Sequence, residues 1–245
     1  MIPRATPALR PTETSVITAR DWQPYVESVE GRFAEASNAT LLGVTSNGLQ
    51  VVYKPIAGIQ PLWDFPAETL PVREVWTYRI DQALGSDVVP MTVMGDGLYG
   101  PGAVQIFVEA IADSMVVEMV NSSDANLWPI ALLDIITNNA DRKAGHILRG
   151  SVGELWGIDH GLTFHEEPKL RTILWGFAGK TVPADLLDAC EQLLSALQGE
   201  LGEAMASELS EGALLATIAR ITALVDAGVH PQPPEHRPAI PWPPY

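Results

Sequence analysis

At 245 residues, 47% of them apolar, the chain can bury a sizeable core as one large domain or two small lobes. A formal net charge of −15 argues against general affinity for nucleic acid or anionic lipid surfaces, though not against a local basic site. No run of about eighteen apolar residues occurs, so no integral membrane association is expected, and Cys190, the only cysteine, excludes an intrachain disulfide and fits a reducing cytoplasm.

The N-terminus, "MIPRATPALRPTETS", has no apolar signal core and reads as an extended, Pro-rich arm over 1–20. "YVESVEGRFAE" fits a strand and a frayed helix alike. "NATLLGV", "TSNG" and "LQVVYKP" read as strand, turn, strand, because Asn47 and Gly48 both tolerate positive φ. A loop rich in Pro and aromatic residues then leads into "VREVWTYRIDQAL", whose apolar positions 72, 75, 76, 80 and 84 form one helical face closed by Gly85. "DVVPMTVM", the turn "GDGLYGPG" and "AVQIFVEAI" supply further strands, so 21–110 is expected to be sheet with one helix.

The remainder, 111–229, changes character. "ANLWPIALLDIIT" is helical, with Asp124 as its N-cap and Pro129 in its first turn. "HILRG" and "ELWGID" are short strands separated by "SVG". "PADLLDACEQLLSALQG" and "GALLATIARITALVDAG" are helices stopped by Gly, and Cys190 inside the first reads as a small buried residue. Residues 230–245, "HPQPPEHRPAIPWPPY", read as a polyproline-like tail. The fold class expected is α+β, with a sheet-rich N-terminal lobe and a helical C-terminal lobe.

Four features stand in the order that phosphoryl transfer from ATP requires. Lys54, one of only four lysines, lies on a strand after a tight turn, where its ammonium can reach phosphate oxygens. Glu74 on the next helix can hold Lys54 by an ion pair. Asp141, after an apolar helix, is placed to orient an acceptor hydroxyl and take its proton, with Arg142 positioning the loop or neutralising phosphate. Asp159 ends an apolar strand and can bind Mg²⁺ that bridges phosphates, with Gly161 permitting a tight turn. Three of them have a competing reading alone: a solvent-facing strand lysine, a solvated helix charge, a surface turn at "DRK".

The elements "VVYKP", "VREVWTY", "NNADRKAGHIL" and "WGIDHG" together resemble the phosphatidylinositol 3- and 4-kinase-like superfamily, including its bacterial branch and the related HipA-type serine kinases. The likeness spans about 39–177. It implies a two-lobed kinase fold with nucleotide in the cleft and a hinge for adenine at Ile106, Phe107, Val108 and Glu109. It further implies phosphate contacts from Lys54, pairing by Glu74, catalysis by Asp141 and metal ligation by Asp159.

Two departures from that pattern matter. A Gly-rich phosphate loop is missing, a role that Ser46 and Asn47 in the hairpin turn are expected to take. His146 stands five residues after Asp141, where the resemblance leads one to expect an Asn metal ligand. Imidazole suits Mn²⁺ better than Mg²⁺. As a ligand it should make activity fall below about pH 6.5; as a donor it would contact phosphate. The expected activity is transfer of the ATP γ-phosphate to a hydroxyl of a protein Ser/Thr, of the protein itself or of a small molecule, with a lipid less favoured because Glu166 and Glu167 accompany Lys169, Arg171 and Lys180. The rival readings are a nucleotide-binding pseudokinase with a regulatory or scaffold role, and a metal-dependent hydrolase built on His146, Asp159, His160 and His165.

Overall fold

A computed structural model describes residues 22–33, 38–111 and 114–244; the expected arm over 1–20 lies outside them. Five strands come first, β1 (Tyr25–Arg32), β2 (Leu41–Thr45), β3 (Gln50–Pro55), β4 (Thr92–Gly97) and β5 (Gly102–Ile106), with α1 (Leu70–Leu84) inserted after β3. They close in the order β1-β2-β3-β5-β4, antiparallel except for a short parallel contact between β1 and β4. The 25–32 segment is therefore a strand. Its period-2 pattern is hidden because only Val26 is fully buried along β1. The interior of this barrel is small and apolar, built on Val26, Val51, Tyr53 and Val104. Gly102 sits where β5 crosses β3, and a Cβ there would lie 2.3 Å from the Lys54 carbonyl, so only Gly permits this approach.

α1 fulfils the helical periodicity and extends two residues further back, to Leu70, with Pro71 in its first turn and Gly85 left-handed at its end. β4 begins at Thr92, later than "DVVPMTVM" suggests, because Asp81 caps the segment before it, accepting from the N–H groups of Val88 and Val89. β5 stops at Ile106. The chain then crosses to the second lobe, pinned by Phe107 N–H donating to Gln50 O (3.1 Å) and by a bridge between Ala110 and Gly150.

The second lobe contains α2 (Met115–Ser122), α3 (Trp128–Thr137), the hairpin β6 (Ile147–Arg149) with β7 (Leu155–Gly157), and α4 (Ala184–Leu197), α5 (Glu200–Glu208) and α6 (Glu211–Ala227). α2 is an element that the sequence pattern did not mark. Asp124 caps a single 3₁₀ turn ahead of α3 rather than α3 itself, accepting from Asn126 N. α3 is buried along nearly its whole length and forms the centre of the largest apolar core. Cys190 is buried, and burial pushes its thiol up to about 11, which leaves it unreactive near neutral pH. The Pro-rich tail carries no helix or strand. It is strapped to this lobe: Ala239 O accepts from Thr172 N and Trp175 Nε1, and Pro244 O accepts from Ala144 N in the loop between α3 and β6.

Candidate functional site

The cleft between the lobes is built on one lysine. Lys54, near the end of β3, points its ammonium at Glu74 Oε1 (2.5 Å) on α1 and at Asp159 Oδ1 (2.9 Å) after β7. Glu74 is almost wholly buried and its other oxygen accepts from the His160 N–H at 2.9 Å. It thus ties the sheet to the strand end that carries Asp159. Burial works against the Lys54 charge, but Asp159 and Glu74 outweigh it and raise its pKa above the ordinary value. Lys54 in turn holds the Asp159 carboxyl well below the usual carboxylate range, against burial. Both groups are charged at neutral pH, and Asp159 keeps half of its side chain open to solvent.

Asp159 adopts φ 60°, a left-handed conformation that is uncommon for a non-Gly residue and accumulates at functional sites. The chain bends at Gly161 and Leu162, as expected of Gly161, though Gly161 does not have positive φ; Asp159 and Phe164 do. Gly161 instead lies against Glu74 and Leu70.

Opposite Lys54, the α3 exit folds into a loop held by a buried carboxylate. Asp134, wholly enclosed in α3, accepts from Arg142 Nε (3.0 Å), Asn139 Nδ2 (2.9 Å) and Thr172 Oγ1 (3.0 Å). Arg142 also donates to the carbonyls of His146 (3.1 Å) and Ile158 (2.9 Å) and contacts His160 Nε2 at 2.7 Å. Because Arg is a donor only, that His160 nitrogen accepts and its proton sits on Nδ1. Arg142 is fully buried, so of its two expected tasks phosphate neutralisation is ruled out by enclosure and loop positioning is what its geometry performs. Asn139 Oδ1 accepts from the Asp141 N–H, which fixes the backbone of Asp141 while its side chain faces outward beside Lys143 Nζ (2.9 Å). Burial raises the Asp141 carboxyl and Lys143 opposes that rise.

His146 joins the same cleft, with Nε2 3.3 Å from Asp159 Oδ2 and Nδ1 buried without a partner among the described residues. Burial, helped by the Arg142, Lys143 and Lys54 charges, pushes its imidazole down to about 4 against the pull of Asp159. It is neutral across the physiological range. The acid limit expected near 6.5 rests on the ordinary His value, which this imidazole does not keep.

The hairpin turn of Ser46 and Asn47 is not part of this constellation. It lies at the opposite end of β3 from Lys54, about 20 Å away at the rise of a strand. Ser46 N–H donates to Tyr25 O (3.1 Å) and Asn47 Oδ1 accepts from Thr45 Oγ1, so both are engaged in closing the barrel. At Lys54's end of the sheet lie the end of β1 and the start of β2, since Arg32 pairs with Leu41, Leu41 with Tyr53, and Ala39 N donates to Gly58 O. The Asn-Gly signal identified a real hairpin, at the end of the sheet away from Lys54. Ile106 ends β5, and Phe107, Val108 and Glu109 form the segment that crosses between the lobes, ahead of the Ala110 bridge to Gly150, where a hinge would lie.

The hydrolase cluster does not assemble: His160 faces Arg142, and His165 packs edge-on against Phe65 while accepting from the Glu167 N–H. No group of three or more His, Cys, Asp or Glu side chains suited to a metal occurs among the described residues. The residues that sequence reasoning missed are Asp134, Asn139 and Thr172. Only Asp134 carried a signal, a carboxylate inside "LWPIALLDIIT", where a buried acid needs partners.

The two lobes, their strand order and the cleft between them define a kinase-like fold. Solved structures agree. The Helicobacter pylori proinflammatory kinase CtkA superposes with a TM-score of 0.51 over 82% of this chain and 91% of that one, at 14% identity. The Golgi casein kinase gives a TM-score of 0.51 over 84% of this chain and 70% of that one, at 13% identity. No family model matches the chain. It belongs to the family of Protein Rv2133c of Mycobacterium tuberculosis, with which it is 38% identical over 254 residues, 88% of this chain and 91% of that protein.

Proposed function

We propose that the chain is an ATP-dependent phosphotransferase of the phosphatidylinositol 3-/4-kinase-like and HipA-like kind, moving the γ-phosphate to a hydroxyl acceptor. The observation that carries this reading is the convergence of Lys54, Glu74 and Asp159, from three separate elements, opposite Asp141. Phosphoryl transfer needs little covalent help from a protein and depends on positioning and charge stabilisation. Lys54 is held extended by Glu74 to meet phosphate oxygens. Asp141, on a loop fixed by Asp134, orients the acceptor hydroxyl and takes its proton; burial has brought its carboxyl closer to that task. The crossing segment from Ile106 to Glu109 receives the base.

Asp159 and the neutral His146 side by side suit a divalent cation, Mg²⁺ or Mn²⁺, whose remaining ligands come from phosphate and water. Such a cation, when bound, neutralises phosphate charge. The acceptor is a protein Ser/Thr hydroxyl, the protein itself or a small molecule. A lipid headgroup is disfavoured because Lys169 is already matched by Asp64 (3.2 Å) and Glu167 (3.6 Å). A second reading, a nucleotide-binding pseudokinase, draws on one observation, His146 in the place of an expected Asn.

Nucleotide with metal should stabilise the folded chain, since a ligand that binds only the native state at about 100 times its Kd adds about 2.7 kcal/mol. For a chain of this size that is a melting rise of about 5–10 °C. Asp159→Ala should remove the metal-dependent part of the rise. An equal metal-dependent shift in the variant would take Asp159 out of the metal site.

A further inference from the structure

A second cavity, about 510 Å³, lies in the C-terminal lobe between the end of α3, the 166–170 segment, α6 and the tail. It falls within the range of about 300–1,000 Å³ usual for small-molecule sites. α6 opens it by presenting Ala216, Ala219, Ala223 and Ala227 where larger side chains would close the space, and Leu170 and Trp175 supply apolar wall. Two cations line the same space. Arg220 on α6 donates to the carbonyls of Ile136 (2.9 Å) and His165 (3.4 Å) and to Thr217 Oγ1 (2.8 Å). Arg237 on the tail donates to Leu170 O (2.8 Å).

Neither arginine forms an ion pair with a carboxylate among the described residues. In a chain with 30 acidic against 15 basic side chains, that is an unusual omission at one place. The one acid on the wall, Glu166, accepts from Ser210 Oγ instead. Burial lowers both guanidinium pKa values, Arg220 to about 10, yet both remain charged. Three of the five N–H donors of Arg220 and one of those of Arg237 are used by neutral acceptors, so donors remain on both. An apolar cavity with two cations and a single acid, which is turned to Ser210 and pairs with neither, is complementary to a ligand with an apolar body and an anionic head.

We propose that this cavity binds a small apolar carboxylate of the fatty-acid class, its carboxylate against Arg220 and Arg237 and its chain along the alanine face of α6. The site is separate from the cleft and does not rest on the phosphotransferase reading. Its wall includes Asn138, three residues before Asp141 on the same loop, so an occupant is positioned to alter that loop.

Isothermal titration calorimetry of the full chain with octanoate and with octan-1-ol, which shares the apolar body without the charge, tests the site. Octanoate should bind at least about tenfold more tightly than the alcohol, a difference of about 1.4 kcal/mol. Arg237→Gln should bring octanoate down to the level of the alcohol and leave the alcohol unchanged, and Ala223→Phe should fill the cavity and abolish both. Equal affinities in the unmodified chain, no octanoate binding below about 1 mM, or octanoate binding unchanged in either variant would overturn the proposal. Arg237 lies on the tail surface strap, so its replacement keeps the test readable if Ala223→Phe fails to fold.

Discussion

Lys54 carries one positive charge between two carboxylates, and the two differ in what they lose when it goes. Asp159 is half open and water can replace the contact; Glu74 is buried and retains only the His160 N–H. Lys54→Met should therefore lower phosphotransfer by about 10²-fold or more, and cost about 1–3 kcal/mol of stability through the orphaned Glu74. Turnover assays and urea denaturation would check the two parts separately. His146 makes a different demand. Its folded pKa of about 4 lies below the ordinary His value, so between about 4 and 6.5 the unfolded chain binds a proton that the folded chain refuses. Stability must then fall as pH drops through that window. His146→Asn should relieve about 2–3 kcal/mol of the loss between pH 7 and 4.5 in metal-free protein, and shift the metal preference of turnover from Mn²⁺ toward Mg²⁺; denaturation curves at the two pH values that are no closer in the variant would contradict the burial argument. Lys54, Glu74 and Asp159, which the fold brings together, were legible from their order along the chain and not as single residues. Arg142 was misjudged in part, since sequence reveals a charge but not which side of a loop it turns to.

At the scale of elements, the loop between α3 and β6 takes its shape from inside α3. Asp134 gathers Asn139, Arg142 and Thr172, and Arg142 carries that order on to the carbonyls of His146 and Ile158. The hub sits behind the loop and touches none of the cleft's open side chains. Asp134→Ala leaves Arg142 as a buried charge without a partner and should cost about 3–5 kcal/mol, whereas Asp141→Asn at the loop's open face should change stability by less than about 0.5 kcal/mol. Guanidinium denaturation of the two variants separates a supporting residue from a reacting one. Length explains which helices sequence could show. α1 and α6 run for 15 and 17 residues and end at a left-handed Gly. α2 has only 8 residues and buries only Val116 among its apolar ones, too short a stretch to mark a helix. The end of the sheet that carries Lys54 escaped for another reason. A turn signal names a hairpin, but strand pairing alone decides which connection lies beside Lys54.

In the whole molecule, a small barrel and a helical lobe meet along a cleft spanned by Lys54, Glu74 and Asp159, and the tail closes against the helical lobe by bonding to Ala144 and Thr172. The two-lobe plan was legible because the period changes from 2 to 3.6 near residue 110, and because chemistry-bearing residues fell in kinase order. The tail's course was not, since a Pro-rich segment has no period and its backbone partners lie far away in sequence. No described helix is long and apolar enough to cross a membrane. The central claim is that this cleft moves a phosphoryl group, and intact-mass and peptide mass spectrometry after incubation with ATP and either Mg²⁺ or Mn²⁺ tests it without a chosen acceptor. The account predicts ADP formation together with phosphate on the chain itself or on an added acceptor, lowered by about 10²-fold or more in Asp141→Asn. ADP formation that persists unchanged in Asp141→Asn, or none with either metal, would contradict it.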